Sequence, residues 1–165
     1  MGLFSKIKNF ITGGAAEVTI VFEEQVVDGG KPLRLFVSAL AKDDCQVKEV
    51  YFKVRGVENY VEQVSYHTTD SDGNSTTSYR DETRSEIHHK EEKIIAEGVS
   101  LKAGEEDKWL VTVEFPENPK ATFHGKEVSF KWEVYAGLDM PGNDPDSGWC
   151  EFFVSKRMNY TINQI

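Results

Sequence analysis

Residues 109–138 read WLVTVEFPENPKATFHGKEVSFKWEVYAGL, and the reading of this stretch decides the fold. Trp109, Val111, Val113 and Phe115 alternate with Leu110, Thr112 and Glu114, the period of two that a strand shows when one face is buried. Pro116 and Pro119 end that strand, and a bend runs through Phe123, His124 and Gly125. Alternation then resumes, with Val128, Phe130, Trp132, Val134 and Ala136 on one side and Ser129, Lys131, Glu133 and Tyr135 on the other. Two strands of this kind supply much of a sandwich core.

The flanking sequence agrees. Upstream, Val18, Ile20 and Phe22 alternate with Thr19 and Val21, Asp28-Gly29-Gly30 is a turn signal with φ > 0 expected at the glycines, and Leu33–Leu40 forms a second strand. After Asp43 and Asp44, Val50, Phe52 and Val54 face one way and Tyr51, Lys53 and Arg55 the other, up to Gly56. Residues 67–85 hold almost nothing to bury, so they predict the mobile, exposed tip of a long hairpin with arms at 60–66 and 85–96. The last strand spans Trp149–Val154. No helical pattern of ten or more residues separates these strands, which favours an antiparallel β-sandwich over an α/β fold. The expected organisation is a helix and Gly-Gly linker over 1–14, one sandwich over 15–155 and a tail over 156–165.

At 165 residues the chain fits one domain with one core. Its net charge is −9, and the first sixteen residues carry Lys6 and Lys8 without an acid, so the remainder is more acidic still. Such a body argues against a nucleic-acid partner, whose phosphates need clustered Lys and Arg. Cys45 and Cys150 are too few and too far apart for a zinc motif or a disulfide framework, so free thiols are expected. The N-terminus lacks the continuous apolar stretch of a secretory signal, and no run is long enough to span a bilayer, so the expected location is cytoplasmic. Gly2 is present, but Lys6 stands where N-myristoylation needs Ser or Thr.

The order of motifs along the chain resembles a known superfamily. Asp28-Gly29-Gly30 precedes a strand; residues 47–56 read VKEVYFKVRG; a polar hairpin follows; then come Leu101, Gly104 and the strand 109–116. Pro119, Thr122, Phe123 and Gly125 lead into VSFKWEVY at 128–135. This order resembles the amino-terminal domain of the arrestin-like superfamily, which includes arrestins, the arrestin-like retromer subunit and bacterial sporulation-control proteins. The likeness covers about Glu17 to Val154 and, with a short helix before the first strand, comes nearest to the sporulation-control branch. It implies an immunoglobulin-like sandwich and a non-enzymatic scaffold or adaptor role, in regulation such as sporulation control or in trafficking. Members generally carry a second sandwich, whereas this sequence holds one, and the polar core of arrestin phosphate sensing finds no residue-by-residue match.

The candidate site residues are few. Leu3, Phe4, Ile7, Phe10 and Ile11 fall on one face of a short amphipathic helix over Gly2–Ile11, with Lys6, Lys8 and Asn9 opposite. A helix so short is marginal alone, so it is expected to dock on its own sandwich, a second copy, a protein partner or a membrane surface. Asp70, Asp72 and Asn74 with Asp81 imitate the spacing of a calcium loop, but Ser75 replaces its glycine, Asp81 its bidentate Glu, and no helices flank it. Asp139, Asp144 and Asp146 cluster in a turn that reads as solvated before it reads as a cation loop. His88 and His89, adjacent on a strand, are expected on opposite faces, with His67 across the hairpin. No nucleophile elbow, carboxylate pair or phosphate-cradling loop stands out, so no catalytic residue, metal ligand or cofactor is assigned. A protein-contact module is the expectation; the alternative is a peripheral membrane or cation-binding β-sandwich.

Overall fold

A computed structural model of the chain describes residues 6–7, 14–142 and 144–156. The strands are β1 (Lys6–Ile7), β2 (Ala16–Phe22), β3 (Val26–Asp28), β4 (Leu33–Ala41), β5 (Cys45–Thr69), β6 (Ser75–Leu101), β7 (Glu106–Val113), β8 (Phe123–His124), β9 (Val128–Asp139) and β10 (Cys150–Ser155). They form two sheets. One runs β1-β2-β4-β7; the other runs β3-β10-β9-β5-β6, with β8 pairing β9. Every strand pairing is antiparallel except β3 with β10, where Val26–Asp28 lies parallel to Phe153–Ser155.

The core lies between the sheets, and the alternation seen in the sequence decides which side chains enter it. Ile20, Phe22, Leu35, Val37, Val111 and Val113 come from the smaller sheet; Val50, Phe52, Val54, Phe130, Trp132, Val134 and Phe152 come from the larger. Phe130 and Trp132 are each 1% exposed, so the facing expected of β9 is the facing it has. Trp132 Nε1 donates to the Lys120 carbonyl at 2.7 Å, which satisfies the indole and fixes the proline-bearing bend. The Phe-x-Gly part of that bend is β8 and a tight return, in which Gly125 N donates to the Val128 carbonyl at 3.0 Å. A Cβ on Gly125 would lie 2.4 Å from that same oxygen, so the return admits only glycine.

The Asp28 turn differs from expectation. Neither Gly29 nor Gly30 has a positive φ; the turn closes through Lys31 N on the Asp28 carbonyl at 2.8 Å. Gly29 is required for another reason, since a Cβ there would meet the Ser155 carbonyl oxygen at 2.9 Å where β3 runs beside β10.

The helix expected over 2–11 lies almost wholly outside the described residues, with Leu3, Phe4, Phe10 and Ile11 among those outside. Within it only Lys6 and Ile7 are described, and these are extended, in register with Val21 and Ile20 of β2. The two described residues are not helical; the outer edge of β2 offers unpaired backbone groups, and they pair with it as a strand. The tail is described as far as Lys156.

Candidate functional site

The feature that sets this sandwich apart is the β5–β6 ribbon. β5 pairs with β9 from Glu49 to Tyr60 and then continues alone with β6, in unbroken register from Val61↔Thr83 to Thr69↔Ser75. The stretch expected as a loose tip is therefore mostly ladder, and the turn is confined to Asp70–Asn74. Residues 61–69 project past the sandwich, about 30 Å of strand at the usual rise. Inside the turn the Asp70 carboxylate accepts from Asp72 N at 3.0 Å, Asn74 N at 2.8 Å and Asn74 Nδ2 at 3.1 Å. The Asn74 hydrogen bonds hold its pKa below the usual value.

The ribbon has two unlike faces. On one, Tyr66, Arg80, Glu62, Glu82, Arg84, Glu58 and Glu86 carry charge and hydrogen bonds. Glu62 stands opposite Glu82 in the ladder, a like-charge pair that would repel. Arg84 relieves it, lying 3.2 Å from Glu62 and 3.0 Å from Glu82, while Tyr66 donates to Glu82. Glu58, opposite Glu86, is held by Lys120 at 2.6 Å and His88 at 2.7 Å, and the Lys120 hydrogen bond lowers its pKa. The other face carries Ser65, Gln63, Val61, Asn59 and Val57 against Tyr79, Asp81, Thr83, Ser85 and Ile87. There Tyr79 is 64%, Ile87 52% and Val61 41% exposed. Among the described residues β6 pairs with β5 alone, so its outer backbone edge is unmatched along the ribbon.

A register shift between Gly56 and Val57 bulges β6 and corrects the expectation for the two histidines. Instead of pointing to opposite faces, both rings lie over core aromatics: His88 is 5.7 Å from Phe130 and His89 5.4 Å from Trp132. A bulge places two residues against one and so breaks the alternation. Gly56 makes the room, since a Cβ there would sit 2.8 Å from Phe130 Cζ. His67, far out on the arm, bonds Thr77 through Nδ1 at 2.9 Å.

On the outer face of the larger sheet sits a cluster that single-sequence reading placed outward but did not connect. Glu133 is buried, with Arg55 Nη2 at 2.8 Å and Lys131 Nζ at 2.6 Å. The Arg55 guanidinium in turn lies 3.8 Å from the centre of the Trp149 ring, and Lys53 lies over Tyr51 and Tyr135. Burial, then hydrogen bonds with Asp146 and Tyr51, push the Tyr135 phenol well above its usual value. The ring faces are taken by the chain's own cations, so the cluster covers the outward side of the sheet with its own side chains.

In the 139–146 turn, which reads as solvated before it reads as a cation loop, each carboxylate has a partner of its own. Asp139 pairs with Lys48 at 3.1 Å, Asp144 accepts from Met140 N at 3.2 Å, and Asp146 accepts from Gly148 N at 2.7 Å. Among the described residues no group of three or more His, Cys, Asp or Glu is placed to hold one ion. Cys45 and Cys150 are both free and buried, and burial raises both thiols. A cleft of about 800 Å³ lies between residues 29–32 and 114–121 with Lys156, and its lining contains no Ser, Cys or His. A second, of about 580 Å³, lies beside Tyr51, Lys53, Glu92 and Asp139, where Lys53 and Glu92 already pair at 3.4 Å. Among the described residues no helix is long and apolar enough to cross a membrane.

No family model and no curated protein matches the sequence. Among solved structures the chain is similar to Spo0M, a sporulation control protein from Bacillus subtilis, with a TM-score of 0.57 and 18% identity. The match covers 87% of this chain and 51% of that one, so the chain spans about half of that protein's length. The fold resemblance read from Asp28-Gly29-Gly30, the 109–116 strand and the Phe-x-Gly bend is thereby supported; an identity this low speaks for the fold alone.

Proposed function

We propose that on this arrestin-like sandwich the chain is a non-enzymatic scaffold or adaptor, and that the β5–β6 ribbon is its contact surface. The observation that carries the reading is β6, a 27-residue edge strand with one neighbour among the described residues, whose Tyr79 and Ile87 form an outward apolar strip with Val61 of β5. An unmatched edge of this length recruits another strand unless it is blunted, and main-chain hydrogen bonds then supply the affinity. A regulatory setting draws support from the fold neighbour, itself a sporulation control protein.

The test is site-specific photo-crosslinking in the native cell. A crosslinker at Tyr79 or Ile87 should yield discrete protein adducts, whereas one at Leu110, exposed on the other sheet, should yield few. Adducts concentrated at Leu110 and missing from the ribbon would sink the proposal.

A further inference from the structure

We infer that the partner of the β6 edge is a second copy of the chain, paired antiparallel about a two-fold axis through Thr83. The inference rests on the protein-contact reading above and deepens it. In that register each residue meets the one equally far on the other side of Thr83. Tyr79 faces Ile87, Arg80 faces Glu86, Asp81 faces Ser85, and Glu82 faces Arg84. Each of these meetings occurs twice, because the pairing is symmetric.

Three observations converge on this register. Charge is the first: both acid–base pairs are opposite in sign on the charged face, and no charged residue from 79 to 87 meets its like. Moving the centre to Glu82 would set Arg80 against Arg84, and moving it to Arg84 would set Glu82 against Glu86, both repulsive. The second is facing. Odd-numbered residues from 79 to 87 share one face of the ribbon, so Tyr79 covers Ile87 of the other copy and each loses exposure that now stands at 64% and 52%. The third is geometry: the ladder from Thr83 to the bulge at His88 is regular, and Thr83 stands at the root of the arm, so each arm runs along the β6 edge of the other copy's sandwich. Residues 75–87 contain no proline, no bulge and no lysine, and of the charges along this edge Arg80, Glu82, Arg84 and Glu86 are matched in the proposed register.

The experiment is sedimentation of the full chain and of charge-reversal variants, with circular dichroism and melting confirming each fold. The intact chain should be a dimer. Glu82→Arg alone and Arg84→Glu alone should each weaken it by about tenfold or more, because each turns two attractive pairs repulsive. The double exchange should restore it, and mixing the two single variants should give a heterodimer. Thr83→Cys should form an interchain disulfide on oxidation, since opposed Cα atoms about 4.5–5.5 Å apart suit one. Ser85→Cys should not, because its copies would lie about 13 Å apart along the ladder. A monomer at every concentration without a Thr83→Cys crosslink, or a dimer indifferent to both reversals, would overturn the inference. If the monomer still gave photo-adducts with other proteins from Tyr79 and Ile87, self-pairing alone would have failed and the adaptor reading would stand.

Discussion

At the scale of single residues, Trp132 ties several elements together. Its ring meets Phe115 at 5.3 Å, Phe130 at 5.8 Å, Phe152 at 6.4 Å and His89 at 5.4 Å, and its N–H caps the bend carbonyl of Lys120. Trp132→Ala should cost about 3–5 kcal/mol by denaturant titration, the range for deleting a large buried aromatic. Trp132→Phe keeps most of the ring but leaves the Lys120 carbonyl short of a donor, and about 1–3 kcal/mol is expected for that alone. A Trp132→Ala variant melting with the parent would mean that the bend and β9 are held by something else. Glu58 tests the electrostatics. Lys120 lowers its folded pKa below the ordinary 4.5, so its ionised form stabilises the fold above the unfolded value, and that stability is lost as pH falls through the folded one. Glu58→Gln should therefore be less stable than the parent at neutral pH, and the difference should close in acid. A gap that stayed constant down the titration would assign the loss to packing instead of charge.

Among the elements, the ribbon separates what stabilises the fold from what extends beyond it. From Val61 outward β5 has no β9 beside it, and the arm contributes none of the core cluster. Excising 64–80 and joining Gln63 to Asp81 through an Asn-Gly turn keeps their register. The variant should melt within a few degrees of the parent while its self-association weakens without vanishing, since the Tyr79–Ile87 and Arg80–Glu86 meetings go and the Glu82–Arg84 meetings beside Thr83 stay; a large fall in midpoint would show that the arm packs on the body. The same element shows what a sequence makes legible. β7, β9 and the inner half of β5 were readable because Val111, Trp132 and Phe52 alternate against polar neighbours, a signal created by burying one face. The outer ladder has no buried face, so Thr68, Ser75 and Thr76 carry turn-like composition although they are strand, and the loop reading of 67–85 followed. The bulge at His88 and His89 was hidden for a related reason, since its signal lies in the cross-strand partner Gly56. Arg55 and Glu133 were placed on the outward face correctly, but they and Trp149, far apart in sequence, meet only once β5, β9 and the approach to β10 lie side by side.

The whole molecule is closed by contacts between distant parts of the chain. β10 pairs with β9 on one side and with β3 on the other, so residues 26–28 and 153–155 share an edge of the larger sheet. A sandwich closed in this way should unfold as one unit, because removing β10 exposes Phe152 and Val154 and uncovers Phe22 and Trp132 behind them. The two cysteines report on this directly. Cys45 opens β5 and Cys150 opens β10, both are buried, and burial raises both thiols, so in the native state neither supplies much reactive thiolate. Thiol labelling with a chromogenic disulfide should be slow in buffer, and across a denaturant series both sites should become reactive together, at the midpoint seen by tryptophan fluorescence. Mass mapping of partly labelled chains should then find both cysteines modified or neither. Cys150 reacting at denaturant concentrations where Cys45 stays protected would mean that β10 detaches first. The stability would then reside in β2, β4, β5, β7 and β9, and the end-to-end closure would be a local lock instead of part of the cooperative fold.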